Sequence, residues 1–429
     1  MDYINAIFLK VDLNLKNDMR GNLLGGECLI MNLTQTKIVD YIDQHLMEYQ
    51  ELAHFIHEHP EVSNYEFKSS KALADQLRKT GFTVRMDVAS HRTAFDACYR
   101  SVKTGPTVVF LAEYDALPKL GHACGHNLNG VYSLLAAIAL KEVVDAIGGE
   151  IRVYGTPGEE GGELGSSKGY FVDEGFFDDV DAALCMHAGC RWTRTVPYLA
   201  NAPMNIKFTG TPSHAAAYPE KGRSALAGVI ETFNGLNAMR AYLPKDANVH
   251  GIITDGGEFP NIIPEHAAAQ FFIRAFQRKT VEQVYQQMEK IAQGAALATG
   301  TTVTCEPAQH RVDNQVLVPA FDELAWQHIG DVQIPDRNLQ TGTFDVAASS
   351  DVGNVSQVVP TIQLISSITD DLISFHTEEF AQAADSKKGL DSIAPGAKLL
   401  ALTAYDLLVQ PATLQVIKDQ WQVTCSEND

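Results

Sequence analysis

The chain is short of positive charge. Against 53 Asp and Glu it carries only 33 Lys and Arg, a formal net charge of −20. A surface this acidic repels phosphate backbones and anionic lipid heads, which argues against nucleic acid and membrane partners. Long apolar runs are missing as well: the longest, such as residues 131–140, reach about ten residues, where a membrane span needs about twenty. The seven cysteines have no regular spacing, so reduced thiols in a cytoplasmic protein are expected and a disulfide framework is not. There is no Gly-x-Ser-x-Gly elbow and no Gly-x-x-x-x-Gly-Lys phosphate loop, which sets serine-hydrolase and nucleotide readings low. His54, Phe55, Ile56, His57 and Glu58 stand in an order other than His-Glu-x-x-His. These histidines read as helix-end and surface residues. No repeat or low-complexity stretch is evident.

What is present is a globular composition, 45% hydrophobic over 429 residues, with room for two or three domains. Residues 1–30 show no basic cluster followed by an apolar core, and charges interrupt every hydrophobic run. They read as a leader outside the fold, either an unstructured arm or a segment before a true start at Met31. A helix is expected after it, with Ile38, Tyr41, Ile42, Leu46, Tyr49 and Leu52 on one face. Strands are expected at 82–86, 94–99, 107–112, 150–154, 182–186 and 359–365, with apolar helices at 127–144 and 397–408. The continuous apolar run at 107–112 is the mark of a strand buried on both faces. Between 199 and 310 the pattern changes to strand (204–209), helix (224–240), two strands (250–254, 267–276), helix (281–298) and strand (302–306). The expected organisation is α/β: a mixed-sheet catalytic domain in two pieces, 31–198 and 311–429, with an inserted α+β lid or dimerisation domain at 199–310.

Polar residues crowd at the C-terminal ends of the buried strands, the edge where open α/β sheets build their sites. Four strand ends deliver Cys124, His126, Glu160, His187 and His376. These are metal-ligand types, a thiolate, imidazoles and a carboxylate. Five candidates exceed the needs of one catalytic ion with an open position, so two divalent ions fit better. Glu159 and Glu160 adjoin each other in a glycine-rich loop and can divide two tasks. One binds an ion while the other takes a proton from water.

Glu113-Tyr114-Asp115-Ala116-Leu117-Pro118, Gly121-His122-Ala123-Cys124-Gly125-His126-Asn127, the loop from Thr156 to Gly162, and Met186-His187 together resemble the aminoacylase/carboxypeptidase family of two-metal peptidases. They are most similar to its amidohydrolase branch, which includes aminobenzoyl-glutamate hydrolases, indole-acetyl-amino-acid hydrolases and some dipeptidases. The likeness runs from about Thr36 to Leu408 and rests most on Gly-His-x-Cys-Gly-His. It implies that Cys124, His126, Glu160, His187 and His376 are metal ligands, that Glu159 is the general base, and that Asp115 orients the ligands of the first motif. Where the carboxypeptidase branch has a ligating His, this chain has Glu113, and Cys124 takes its place. Asn127 stands where related amidohydrolases usually carry Asp, a feature shared with the aminobenzoyl-glutamate-hydrolase-like group. In the inserted domain, His214 resembles the residue that reaches the partner subunit's site and donates to the developing oxyanion. Asn261 and Arg274 match substrate-contacting positions, the Arg gripping a free carboxylate. Without the resemblance they read equally as a turn Asn and a strand-edge ion-pairing Arg. Ser349, Ser350 and Asp351 match an active-site wall loop.

The resemblance thus implies a cytoplasmic, homodimeric metal-dependent amidohydrolase. Zinc or manganese would be its metal, and its small-molecule substrates would be N-acyl amino acids, aminobenzoyl-glutamate-like compounds or dipeptides. Two other readings stay open: a non-catalytic binding protein on the same fold, and an amidase with Cys124 as nucleophile beside His126.

Overall fold

The computed structural model describes residues 31–334, 339–340 and 348–428. The expected leader, 1–30, lies outside them. The first helix, α1 (Leu33–Glu58), opens on a capping box. The Asn32 side chain accepts from the N–H groups of Thr34 and Gln35, and the Gln35 side chain takes the N–H of Asn32. Its inward face carries Ile38, Ile42, Tyr49, Ala53 and Ile56, the stripe that the helical spacing predicts. After α2 (Phe67–Lys79) come strands β1 (Thr83–Val88), β2 (His91–Arg100) and β3 (Thr107–Ala112). Next are α3 (His126–Ile147), β4 (Glu150–Gly155), α4 (Lys168–Asp173), β5 (Ala182–His187) and β6 (Cys190–Thr193).

The chain then leaves this sheet for β7 (Ala200–Thr209), β8 (Ser213–His214), α5 (Ala225–Met239), β9 (Asn248–Asp255), β10 (Ile262–Ile263), β11 (His266–Ala275), α6 (Arg278–Thr299) and β12 (Thr302–Pro307). It returns through α7 (Pro319–Trp326), α8 (Val352–Ser356) and β13 (Thr361–Ser367), and ends in α9 (Glu378–Ala384), α10 (Lys387–Asp391), α11 (Ile393–Val409) and α12 (Pro411–Asn428).

The larger sheet is mixed, ordered β1-β2-β4-β3-β5-β13-β6, and its four consecutive strands β4, β3, β5 and β13 are parallel. Every residue of β3 and β5 is buried. Alternate side chains explain why: Val108, Phe110, Leu184 and Met186 meet the layer of α1, α3 and α11. Val109, Leu111, Ala183 and Cys185 meet the layer of α4 and α8 on the other face. The strand expected at 359–365 is displaced to Thr361–Ser367, because Pro360 has no N–H for the ladder and stands just before it. One stretch, Lys387–Val409, is long and apolar enough to cross a membrane, beyond the ten-residue runs counted in the sequence, but 83% of its 18-residue apolar window is inside the fold. It is a core helix.

The second sheet is antiparallel, ordered β12-β7-β11-β9, with α5 and α6 packed on one face. Its core is its own: Met204, Ile206, Phe208, Phe271 and Ile273 against Val229, Leu236, Val284 and Met288. Along β11 burial alternates strictly, with Ala267, Ala269, Phe271, Ile273 and Ala275 inward. Arg274 therefore projects from the face opposite the helices. The ribbon of β8 and β10 stands apart as a two-stranded sheet.

Candidate metal centre

The four parallel strands set the site. β3 leads into the Glu113–Asp115 turn and the loop before α3. β4 leads into the Glu159–Glu160 loop, β5 ends on His187, and the segment after β13 carries His376. Three backbone features make this convergence possible. Gly125 has φ +77°, and a Cβ there would stand 2.5 Å from that of Ala188, so only glycine lets Cys124 and His126 close on β5. In the Glu-Glu loop Gly158, Gly161 and Gly162 all have positive φ, as the expected tight turn requires. His376 is a non-glycine residue at φ +61°, anchored by its N–H to the Ala123 carbonyl at 2.9 Å. That region is uncommon for a non-glycine residue, and the contact with Ala123 holds His376 in it.

The side chains meet as interlocking triads. Donor atoms of Cys124, His126 and His187 lie within 4.8 Å of one another, as do those of Cys124, Glu160 and His376, and those of His126, Glu159 and Glu160. His126 is fully buried. Its Nδ1–H donates to Asp115 Oδ1 at 2.9 Å, while its Nε2 has no hydrogen-bond partner among the described residues. Asp115 is fixed in turn by Ser63 Oγ (2.8 Å) and the Glu160 N–H (3.0 Å). His187 donates from Nδ1 to the Ala188 carbonyl at 2.7 Å, leaving Nε2 3.6 Å from Cys124 Sγ. Glu160 Oε1 is 3.1 Å from His376 Nε2. Each inner imidazole thus spends Nδ1 on a support and turns Nε2 inward, the arrangement that prepares histidine for a cation. A buried Nε2 without a partner among soft and hard donors fits two divalent ions.

The electrostatics point the same way. Burial, with Glu160 and Glu113 nearby, pushes the Glu159 carboxyl well above its ordinary range. Burial also pushes the Cys124 thiol up and the His187 imidazole down. The carboxyl and the thiol are thus kept neutral until something positive arrives, and the His187 imidazole is kept in the neutral form that binds a cation.

Two motif residues fall outside the cluster. His122 is buried, with Nε2 donating to the Ile56 carbonyl at 3.1 Å, and its pKa is pushed down to about 3 by burial. Asn127 ties the start of α3 to the carbonyls of Ala384 (3.2 Å) and Ala53 (3.4 Å). His54 pairs with Asp385 at the surface.

Reading the sequence alone missed Lys168. It is completely buried, its Nζ 2.6 Å from Asp351 Oδ1 and 2.9 Å from Glu113 Oε1. Burial alone would raise the Glu113 carboxyl, but Lys168 and His126 hold it down at about 2. The apolar wall was missed too. A cavity of about 340 Å³ opens beside Cys124, Glu159, Glu160, His187 and His376, lined by Val196, Tyr198, Ile365, Leu372, Ile373 and Phe375.

The inserted domain's three candidates form a separate group. His214 pairs with Ile262 across the ribbon, and the Ala215 N–H donates to the Asn261 carbonyl at 3.0 Å, so His214 and Asn261 are neighbours. His214 Nδ1 accepts from the N–H groups of Ala216 (3.3 Å) and Ala217 (3.1 Å). Both His214 and Asn261 are exposed. Arg274 is on the internal strand β11, between Asn201 and Asn248, so a strand-edge position is excluded. Its Nε has no hydrogen-bond partner, and it makes no ion pair among the described residues.

Comparison with known proteins agrees with this layout. Residues 201–299 match the model of a peptidase dimerisation domain. The chain is 41% identical to a p-aminobenzoyl-glutamate hydrolase component of Escherichia coli over 62% of its own length and 59% of that relative, less than two thirds of it. It is 34% identical to the mouse Xaa-Arg dipeptidase over 75% of this chain and 74% of the relative. Among solved structures, an aminobenzoyl-glutamate utilization protein from Klebsiella pneumoniae superposes with a TM-score of 0.64 at 19% identity, covering 84% of this chain and 98% of that one. A dinuclear metal-binding peptidase from Bacillus subtilis superposes with a TM-score of 0.61 at 18% identity, covering 85% and 100%. With the dipeptidase matched over three quarters of its length and the same fold in a two-metal peptidase, the chain belongs to the M20 family of metallopeptidases, a family of metal-dependent amide hydrolases.

Proposed function

We propose that this protein hydrolyses the amide bond of an N-acyl or N-aroyl amino acid, an aminobenzoyl-glutamate-like compound or a dipeptide, and releases the free amino acid. The observation that carries this is the convergence of Cys124, His126, Glu159, Glu160, His187 and His376 at one sheet edge, with His126 Nε2 buried and unpartnered. Cys124, His126, Glu160, His187 and His376 would hold two divalent ions; a thiolate among them favours zinc or a later transition metal over magnesium, and manganese is the other metal to test. When bound, the ions polarise the amide carbonyl and make water acidic at neutral pH.

The chain's own residues supply the rest. Asp115 fixes the His126 ring through Nδ1. Glu159, next to a ligand in sequence, takes the proton of the attacking water and returns it to the leaving amine. The apolar cavity wall takes the acyl side of the substrate and excludes bulk water. On the inserted domain, His214 donates to the developing oxyanion of a partner subunit's site, and Arg274, without an ion-pair partner among the described residues, grips the free carboxylate together with Asn261. The subunits would pair through this domain as a cytoplasmic homodimer.

The contact of Cys124 Sγ with His187 Nε2 at 3.6 Å and its proximity to His126 favour a cysteine nucleophile. Burial raises that thiol's pKa, the opposite of what a nucleophile needs. A panel of N-acyl amino acids, aminobenzoyl-glutamate and dipeptides, assayed with zinc and with manganese, tests the proposal. Purified protein that takes up no ion would return it to a binding role, and turnover surviving exhaustive chelation would favour the nucleophile.

A further inference from the structure

We infer that Lys168, together with Asn129, is a positioning residue that holds the Glu113 carboxylate off the ion at His126. This rests on the metal-centre reading above. Glu113 is the last carboxylate before Asp115 on the turn after β3, and it is buried with its Oε2 only 3.8 Å from His126 Nε2. That nitrogen is the unpartnered one. A carboxylate so placed is a ready-made extra ligand for whatever His126 holds.

Its Oε2 is hydrogen-bonded elsewhere, and its Oε1, without a hydrogen bond among the described residues, is ion-paired elsewhere. Lys168 Nζ is 2.9 Å from Oε1, and Asn129 Nδ2 donates to Oε2 at 2.9 Å. The two restrainers are themselves fixed. Lys168 Nζ is bound to Asp351 Oδ1 at 2.6 Å, and its N–H donates to Asp351 Oδ2 at 3.1 Å. Asn129 Oδ1 accepts from the Ala188 N–H at 2.8 Å.

A fully buried lysine is costly and rarely kept without a task. Asp351 alone would satisfy one charge, yet the ammonium spans both carboxylates. A catalytic ion must keep a position open for water. Glu113 would fill that position if released, and Lys168 prevents it.

Cobalt(II) is the probe, loaded into the purified full chain. Its release to a chelator and its visible spectrum are read alongside turnover of the best panel substrate. In Lys168→Met, Glu113 joins the ion, so the spectrum changes, release slows about tenfold or more, and turnover falls about 10²-fold. In Lys168→Met with Glu113→Gln, the extra ligand is gone and all three readouts move back toward wild type. A merely structural lysine would loosen the ion in the single variant, and the second change would not correct it.

Asn129→Ala, which frees Oε2 while keeping the buried charge balanced, should shift the cobalt spectrum in the same direction and stands in if Lys168→Met does not fold. Cobalt lost faster from Lys168→Met, a double variant no better than the single one, or an unaltered spectrum in Asn129→Ala would overturn the inference while leaving the metal centre intact. Wild type that binds no cobalt would overturn both.

Discussion

The two groups of candidate residues differ in how finished they are. At the edge of the large sheet, His126 is wholly buried and Cys124 and His187 nearly so, each inner histidine with its outer nitrogen already spent. On the inserted domain, His214 sits exposed on a strand of two residues, Asn261 stands exposed just before another, and Arg274 waits on an open sheet face. The first group is preorganised by a core packed on both faces of a parallel sheet. The second is divided between a two-stranded ribbon and a sheet with one bare face. Where the chemistry needs fixed charge, the fold provides burial. The exposed group is where the proposed contacts with a substrate or another subunit would be made.

This contrast can be broken experimentally, most severely at the buried group. Glu159→Gln should keep its metal and lose about 10²–10⁴-fold or more in kcat; a variant with near-normal turnover would remove Glu159 from proton transfer. His214→Ala should lose about 10²–10³-fold in kcat with little change in metal content. Mixed with Glu159→Gln under conditions of subunit exchange, it should regain activity, because one heterodimer site then carries neither change. A mixture that stays inactive despite proven exchange would mean the ribbon serves its own chain. Arg274→Lys should act mainly on KM, raising it about tenfold or more for substrates with a free carboxylate and sparing those with an amidated one. An equal loss on both would show that Arg274 holds the sheet and not the substrate. The smallest change in turnover is expected from Cys124→Ser in saturating metal, where the effect should appear as weaker metal affinity; unchanged affinity with activity abolished would make Cys124 the nucleophile.

The same contrast governs what could be read in advance. The buried strands at Thr107–Ala112 and Ala182–His187 were legible because continuous apolar runs bounded by polar loops have few other meanings. The candidate ligands were legible because unusual residue types recur where such strands end. Lys168 was not: a lysine in Ser-Ser-Lys-Gly looks like solvated surface, and its partner Asp351 is 183 positions away. Nor was the place of Arg274 inside its sheet, since strand order is not written in periodicity. His214 could be singled out only by resemblance, because nothing local distinguishes it from any exposed loop histidine.

The order of the large sheet has a consequence for how the protein comes into being. β13 inserts between β5 and β6, although the whole inserted domain is made between β6 and β13. During synthesis, β5 must wait with an open edge while more than a domain's length of chain emerges, and His376 appears only after that. A growing chain therefore cannot close the proposed two-ion cage early, however much metal surrounds it. Contacts of such long sequence separation form late and slowly. Metal uptake through all five donors would then be a late event in the protein's birth, and cobalt added to a refolding chain should report the seating of β13 and the His376 segment as its last step.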